Sequence, residues 1–186
     1  MGKILKVVGA LIHGASPVGA WDRSSRTSHN GADTLFVRAM IAHHRQALRM
    51  ADLALQRAED DRVHAVARTI KLTRPEETRR LRVWLDAWGE STGGGPDRVS
   101  DMNDPELLTG TSAMISEAAL SEVTATEQHC FDQLWLEMVI QHHERAVDAS
   151  KTEQANGMSP AATRLARQVE LAQGRVVNQM QAYLKT

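Results

Sequence analysis

The stretch Met40-Ile41-Ala42-His43-His44-Arg45-Gln46-Ala47 decides how this chain is read, because a second version follows it: Val139-Ile140-Gln141-His142-His143-Glu144-Arg145-Ala146. The two histidine pairs stand 99 residues apart, and the same offset aligns Asp33 with Asp132, Leu35 with Leu134, Ile41 with Ile140, Ala47 with Ala146 and Leu85 with Leu184. This is the pattern of an internal duplication. Half of the eight histidines of the chain fall in the two doublets. An imidazole embedded in apolar sequence must find a partner or stay neutral, so the doublets point to metal binding.

Outward from the first doublet the pattern is helical. Phe36, Met40, His43, His44, Ala47, Leu48, Met50, Ala51, Ala54 and Leu55 recur at intervals of three and four, with Arg38, Arg45, Arg49, Asp52 and Gln56 opposite. Asp60 and Asp61 offer N-caps to a second helix with the stripe Val63, Val66, Ile70, Thr73, Glu77, Leu81, Trp84 and Trp88, ending at Gly89. Pro75 predicts a kink or a restart there, with Thr73 or Arg74 as the new cap, since an interior proline costs ~3 kcal/mol.

Gly93-Gly94-Gly95-Pro96 marks a connection in which Asp104-Pro105-Glu106 and Ser116-Glu117 read as starts of short helices. A third long helix is predicted from about Thr126 to Gln154, carrying Phe131, Trp135, Met138, Val139, His142, His143, Ala146 and Val147. Asn156-Gly157 stops it. Ser159-Pro160 then starts a fourth, with Leu165, Val169, Ala172, Val176, Met180, Tyr183 and Leu184 inward. The expectation is an all-α, ferritin-like four-helix bundle built from two duplicated hairpins with a long crossover. Residues 1–30 form a tail or a short signal segment, and residues 31–186 a single domain: 31–89 the first hairpin, 90–125 the crossover and 126–186 the second hairpin.

Composition narrows the function. A formal net charge of −1 and dispersed basic residues give no field for nucleic acid. Cys130 is the only cysteine, which excludes an intrachain disulfide and CxxC chemistry. Lys3 and Lys6 flank a short apolar run, Val7 to Ile12, and Val18-Gly19-Ala20 would suit a signal peptidase, but no run is long enough for a membrane span.

Helix geometry makes His43 and His44 straddle the centre of the apolar face, so that both point inward. Met40 lies one turn from His44, Met50 two turns from His43, and Met138 one turn from His142. Imidazole suits copper and zinc, while thioether sulfur selects Cu(I), so a copper ion, Cu(I) above all, is the expected cofactor. The candidate ligands are His43, His44, Met40, Met50, His142, His143 and Met138, with Glu77 and Gln173 placed to orient an imidazole. Donor count gives the first half the stronger site. Affinity is expected to fall as pH drops through about 6.5, the usual imidazole value.

Blander readings compete. A histidine on an apolar face is often a hydrogen-bonded core residue, and the methionines fit ordinary gap filling. Asp61-Arg62-Val63-His64 has no copy 99 residues on and reads as a helix start; His129-Cys130 reads as a bystander. A di-iron enzyme would need Glu-x-x-His pairs, and there are none, so no catalytic residue is assigned.

At these residues the chain resembles a bacterial family, domain-of-unknown-function family 305. The resemblance rests on Phe36, Met40-Ile41, His43-His44, Ala47, Met50-Ala51, Trp84-Leu85-Asp86-Ala87-Trp88-Gly89, Phe131-Asp132, Leu136-Glu137-Met138, His142-His143-Glu144, Ala146-Val147, Gln173 and Met180. It implies a ferritin-like bundle, secreted or otherwise outside the cytoplasm, that binds copper through His and Met as a buffer or carrier. The chain departs from the family pattern at Leu81, Val139 and Ala149, where methionine is common, and at Arg74, where glutamine is. Self-association into a homo-oligomer is open, as is the rival reading of a structural or partner-binding bundle without metal.

Overall fold

The computed structural model describes residues 28–90 and 114–185. They form five helices and, among the described residues, no strand: α1 (Gly31–Arg57), α2 (Asp61–Trp88), α3 (Glu117–Ala125), α4 (Gln128–Asn156) and α5 (Pro160–Tyr183). The Asn30 side chain accepts from Asp33 N while the Asp33 carboxylate accepts from Asn30 N, a reciprocal capping box that starts α1. Asp60 caps α2, Ser116 caps α3 and Ser159 caps α5, and each of these three side chains satisfies an amide that the helix itself cannot. Gly89 closes α2 at φ 74°, the left-handed conformation that a side chain disfavours.

Two sequence expectations are corrected. α2 runs through Pro75 without a restart. The apolar residues on either side, Ile70 before it and Leu81 and Leu85 after it, are all buried, and that burial outweighs the lost hydrogen bond. Leu184 lies past the end of α5 and is exposed rather than inward. The glycine-rich connection, Asp104-Pro105-Glu106 and the N-terminal segment lie outside the described residues.

α1 packs on α2, α4 on α5, and the two pairs meet along α1 and α4. Two apolar clusters fill the interior. One holds Phe36, Val37, Met40 and Ile41 of α1 with Leu81, Leu85, Ala146 and Ala166. The other holds Ala47, Met50, Ala51 and Ala54 of α1 with Phe131, Trp135, Met138 and Val139 of α4. The start of α1 therefore shares a cluster with the later part of α4, and the reverse, so these helices run antiparallel. Both histidine doublets fall between the clusters.

The hairpins also lock together at their ends. Asp33 accepts from Met158 N and Ser159 N at 3.1 and 2.9 Å, at the turn between α4 and α5. Asp132 accepts from Glu59 N and Asp60 N at 3.1 and 2.7 Å, at the turn between α1 and α2. Each aspartate caps the other hairpin's turn, and donors and acceptors alike are related by the 99-residue offset.

Candidate metal centre

His43 and His142 are fully buried, and His44 and His143 nearly so. The rings of His43 and His142 stack with centroids 3.7 Å apart and planes 11° from parallel. His44 and His143 stand edge-on to this pair, His44 at 6.0 Å from His43 and His143 at 6.0 Å from His142. Four imidazoles thus form one layer across α1 and α4.

Hydrogen bonds set the tautomers. His43 Nε2 donates to the His142 carbonyl at 3.1 Å, which leaves the Nδ1 lone pair of His43 facing the interior with no partner. His143 Nδ1 donates to the Val139 carbonyl at 2.9 Å. His44 is engaged on both nitrogens, with Glu77 Oε2 3.4 Å from Nε2 and Thr78 Oγ1 3.4 Å from Nδ1. Neither nitrogen of His142 has a partner. Burial holds all four imidazoles below their ordinary value, His143 at about 3, and the Arg74 guanidinium pushes the same way. All four are therefore neutral at physiological pH, the form that binds metal.

The thioethers lie on both sides of the layer. Met40 is buried in the cluster at the start of α1, and Met50 and Met138 in the other. Glu77 reaches His44 as expected, but it also takes a 2.5 Å hydrogen bond from Arg74, the residue that stands where the family commonly has glutamine. Gln173 is buried on α5 with its side-chain oxygen unpaired. His129 is exposed and pairs with Glu127 at 3.4 Å, well apart from this layer in the chain, as a bystander would.

The donor set fits a soft ion of low coordination number better than a closed tetrahedral site. Imidazole lone pairs lie in the ring plane, so parallel rings at stacking distance cannot aim at the same ion. Among the described residues no group of three or more His, Cys, Asp or Glu side chains is arranged to hold a metal.

A second buried polar cluster escaped the sequence reading. Glu153 of α4 is buried beside the Asp33 carboxylate, and burial together with that neighbour raises its pKa to about 8. The matching position in α1 is Ala54, so the repeat carried no signal for it.

The profile of the domain of unknown function DUF305 matches residues 33–184. The chain belongs to the DUF305 family. The solved structure of a DUF305 fragment from Deinococcus radiodurans is 27% identical and superposes with a TM-score of 0.69, covering 84% of this chain and 97% of that one. A DUF305 protein from Streptomyces coelicolor, described as a candidate secreted protein, is 24% identical with a TM-score of 0.69, covering 83% and 92%. CopM in its Cu(I)-bound form is 22% identical with a TM-score of 0.64, covering 82% and 95%. No curated protein sequence matches the chain at a significant level. Among the described residues, no DUF305 helix here is long and apolar enough to cross a membrane.

Proposed function

We propose that this DUF305 protein binds a soft metal ion, copper(I) above all, through neutral imidazole and thioether groups, as a buffer or carrier and not as an enzyme. The observation that carries this reading is the set of three buried imidazole nitrogens without partners, His43 Nδ1 and both nitrogens of His142. Leaving such groups unpaired costs about 1–3 kcal/mol each, and ligation to an ion would recover it at one ring nitrogen of each histidine, the other nitrogen of His142 carrying the proton. Methionines on both faces of the layer favour a soft ion over zinc. CopM, of the same fold, has been solved in Cu(I)-, Cu(II)- and Ag-bound forms. The companion reading of the fold is a ferritin-like four-helix bundle produced by duplication, supported by the shared offset of the histidine pairs and of the two aspartate caps. An extracytoplasmic location is supported by the family resemblance.

The second reading is a structural bundle without metal. It is favoured by His44, whose two nitrogens are already engaged, and by the stacking of His43 on His142. Loading tag-free protein with Cu(I) and Ag(I) under anaerobic conditions, against a competing chelator, separates the two. Retention of ion by the wild type, lost on replacing the doublets with alanine, supports binding; no retention leaves the structural reading.

A further inference from the structure

The two halves of the imidazole layer are not equivalent, and the difference lies in the helices that flank it. On α2, Arg74, Glu77 and Thr78 form a polar group against His44: Arg74 donates to Glu77 at 2.5 Å, and Glu77 and Thr78 occupy the two nitrogens of His44. The offset of 99 residues carries these three positions to Gln173, Val176 and Val177 of α5, all buried. α5 therefore offers no ion pair and no hydroxyl at the matching places. Unpaired polar atoms occur on both sides, His43 Nδ1, Arg74 Nε and Glu77 Oε1 toward α2 and both His142 ring nitrogens and the Gln173 oxygen toward α5, so the difference between the halves is one of charge.

Arg74 is itself buried, and its guanidinium is a fixed positive charge within the interior that a metal cation would share. Like charges in a medium of low dielectric repel strongly, and the repulsion is little screened by salt. The pair also neutralises Glu77 through Oε2, the oxygen that faces His44 Nε2, while Glu77 Oε1 is buried without a partner.

Resting on the metal-binding reading above, we propose that Arg74 and Glu77 are a built-in ion pair that takes the place of a bound cation beside His44, so that this chain accepts a single soft ion on the α5 side of the layer, at His142 and His143. Donor count alone favours the α1 half; the partners of those donors reverse the order. Arg74 is then the residue that sets how many ions the protein holds.

The test is silver(I) titration of the full chain, read as ions per chain by native mass spectrometry and as affinity by chelator competition. Three variants are compared with wild type. Arg74→Gln/Glu77→Val copies the α5 side and leaves no buried unpaired charge, and it should admit a second ion. Arg74→Gln removes only the cation and should bind silver on the order of tenfold more tightly or admit a second ion. Arg74→Lys keeps the charge and should match wild type. If wild type binds silver and both neutralising variants, folded by circular dichroism, bind the same number with the same affinity, the inference falls and the metal-binding reading stands. If no protein in the set takes up silver, both fall. Should Arg74→Gln fail to fold, the double variant decides alone.

Discussion

The imidazole of His43 lies face to face on that of His142, ring centres 3.7 Å apart, with His43 Nε2 donating to the His142 backbone carbonyl. The contact joins the two histidine pairs through the centre of the α1–α4 interface and leaves His142 without any side-chain hydrogen bond. Such a group is costly in a protein without metal. His142→Leu removes two orphaned nitrogens at similar volume, so the metal-free protein should lose less than about 1 kcal/mol, or gain stability, while silver binding is lost. Thermal unfolding with and without silver checks this: wild type should gain in Tm on adding silver, and His142→Leu should not.

The doublets should differ in their effect on binding. His142→Ala/His143→Ala is expected to weaken silver binding by at least about tenfold more than His43→Ala/His44→Ala, because His44 is already engaged by Glu77 and Thr78. Chelator competition with both double variants measures it, and equal losses would indicate one ion shared across the layer.

Proton competition should set in at lower pH than the sequence suggests. The imidazoles are held below 6.5 by burial and by Arg74, so soft-ion affinity should stay flat as pH falls through 6.5 and drop only in more acidic solution. A titration midpoint near 6.5 would show that the metal-bound layer is open to water.

Stability against pH should carry two opposed slopes. Each depressed histidine contributes stability that is present above 6.5 and lost as pH falls, because the unfolded chain takes up the proton first. Glu153 acts in the other sense. Its pKa is raised from 4.5 to about 8, so its contribution is full below 4.5 and is lost as pH rises to about 8. Denaturant unfolding of Glu153→Gln between pH 6.5 and 9 should lack most of the alkaline decline of wild type, and an unchanged decline would exclude Glu153 as its source.

Gly157 is pinned by the same carboxyl. A β-carbon there would lie 2.7 Å from the Glu153 carbonyl oxygen and against its side chain, although φ is an ordinary −70°. Gly157→Ala should cost about 1–3 kcal/mol. A double-mutant cycle with Glu153→Ala should recover part of that loss, since the backbone contact remains.

The helices were legible in the sequence because their causes are local. The stripe from Phe36 to Ala54, the caps at Asp60, Ser116 and Ser159, and the stop at Gly89 depend on residues within a turn or two of one another. Even the inward direction of His43, His44, His142 and His143 follows from helical periodicity, and the repeat showed that the two pairs occupy equivalent places. The restart expected at Pro75 does not occur because its local cost is set against burial of Ile70, Leu81 and Leu85, which helix propensity does not include.

What the chain's own order determined, then, is which residues form helices and which side chains face inward. Only the tertiary structure decided what those side chains meet. That His43 stacks on His142, that Arg74 spends its charge on Glu77 beside His44, and that Asp33 and Asp132 cap each other's hairpins are contacts between segments far apart in sequence. The physical reason is that helix formation is a near-neighbour effect, whereas the partner of a buried polar group is fixed by how antiparallel α1 and α4 are set against each other and against their flanking helices. The offset aligns the two halves residue by residue, and only the packing shows that Arg74 and Glu77 meet beside His44 while Gln173 and Val176 at the matching positions form no such pair.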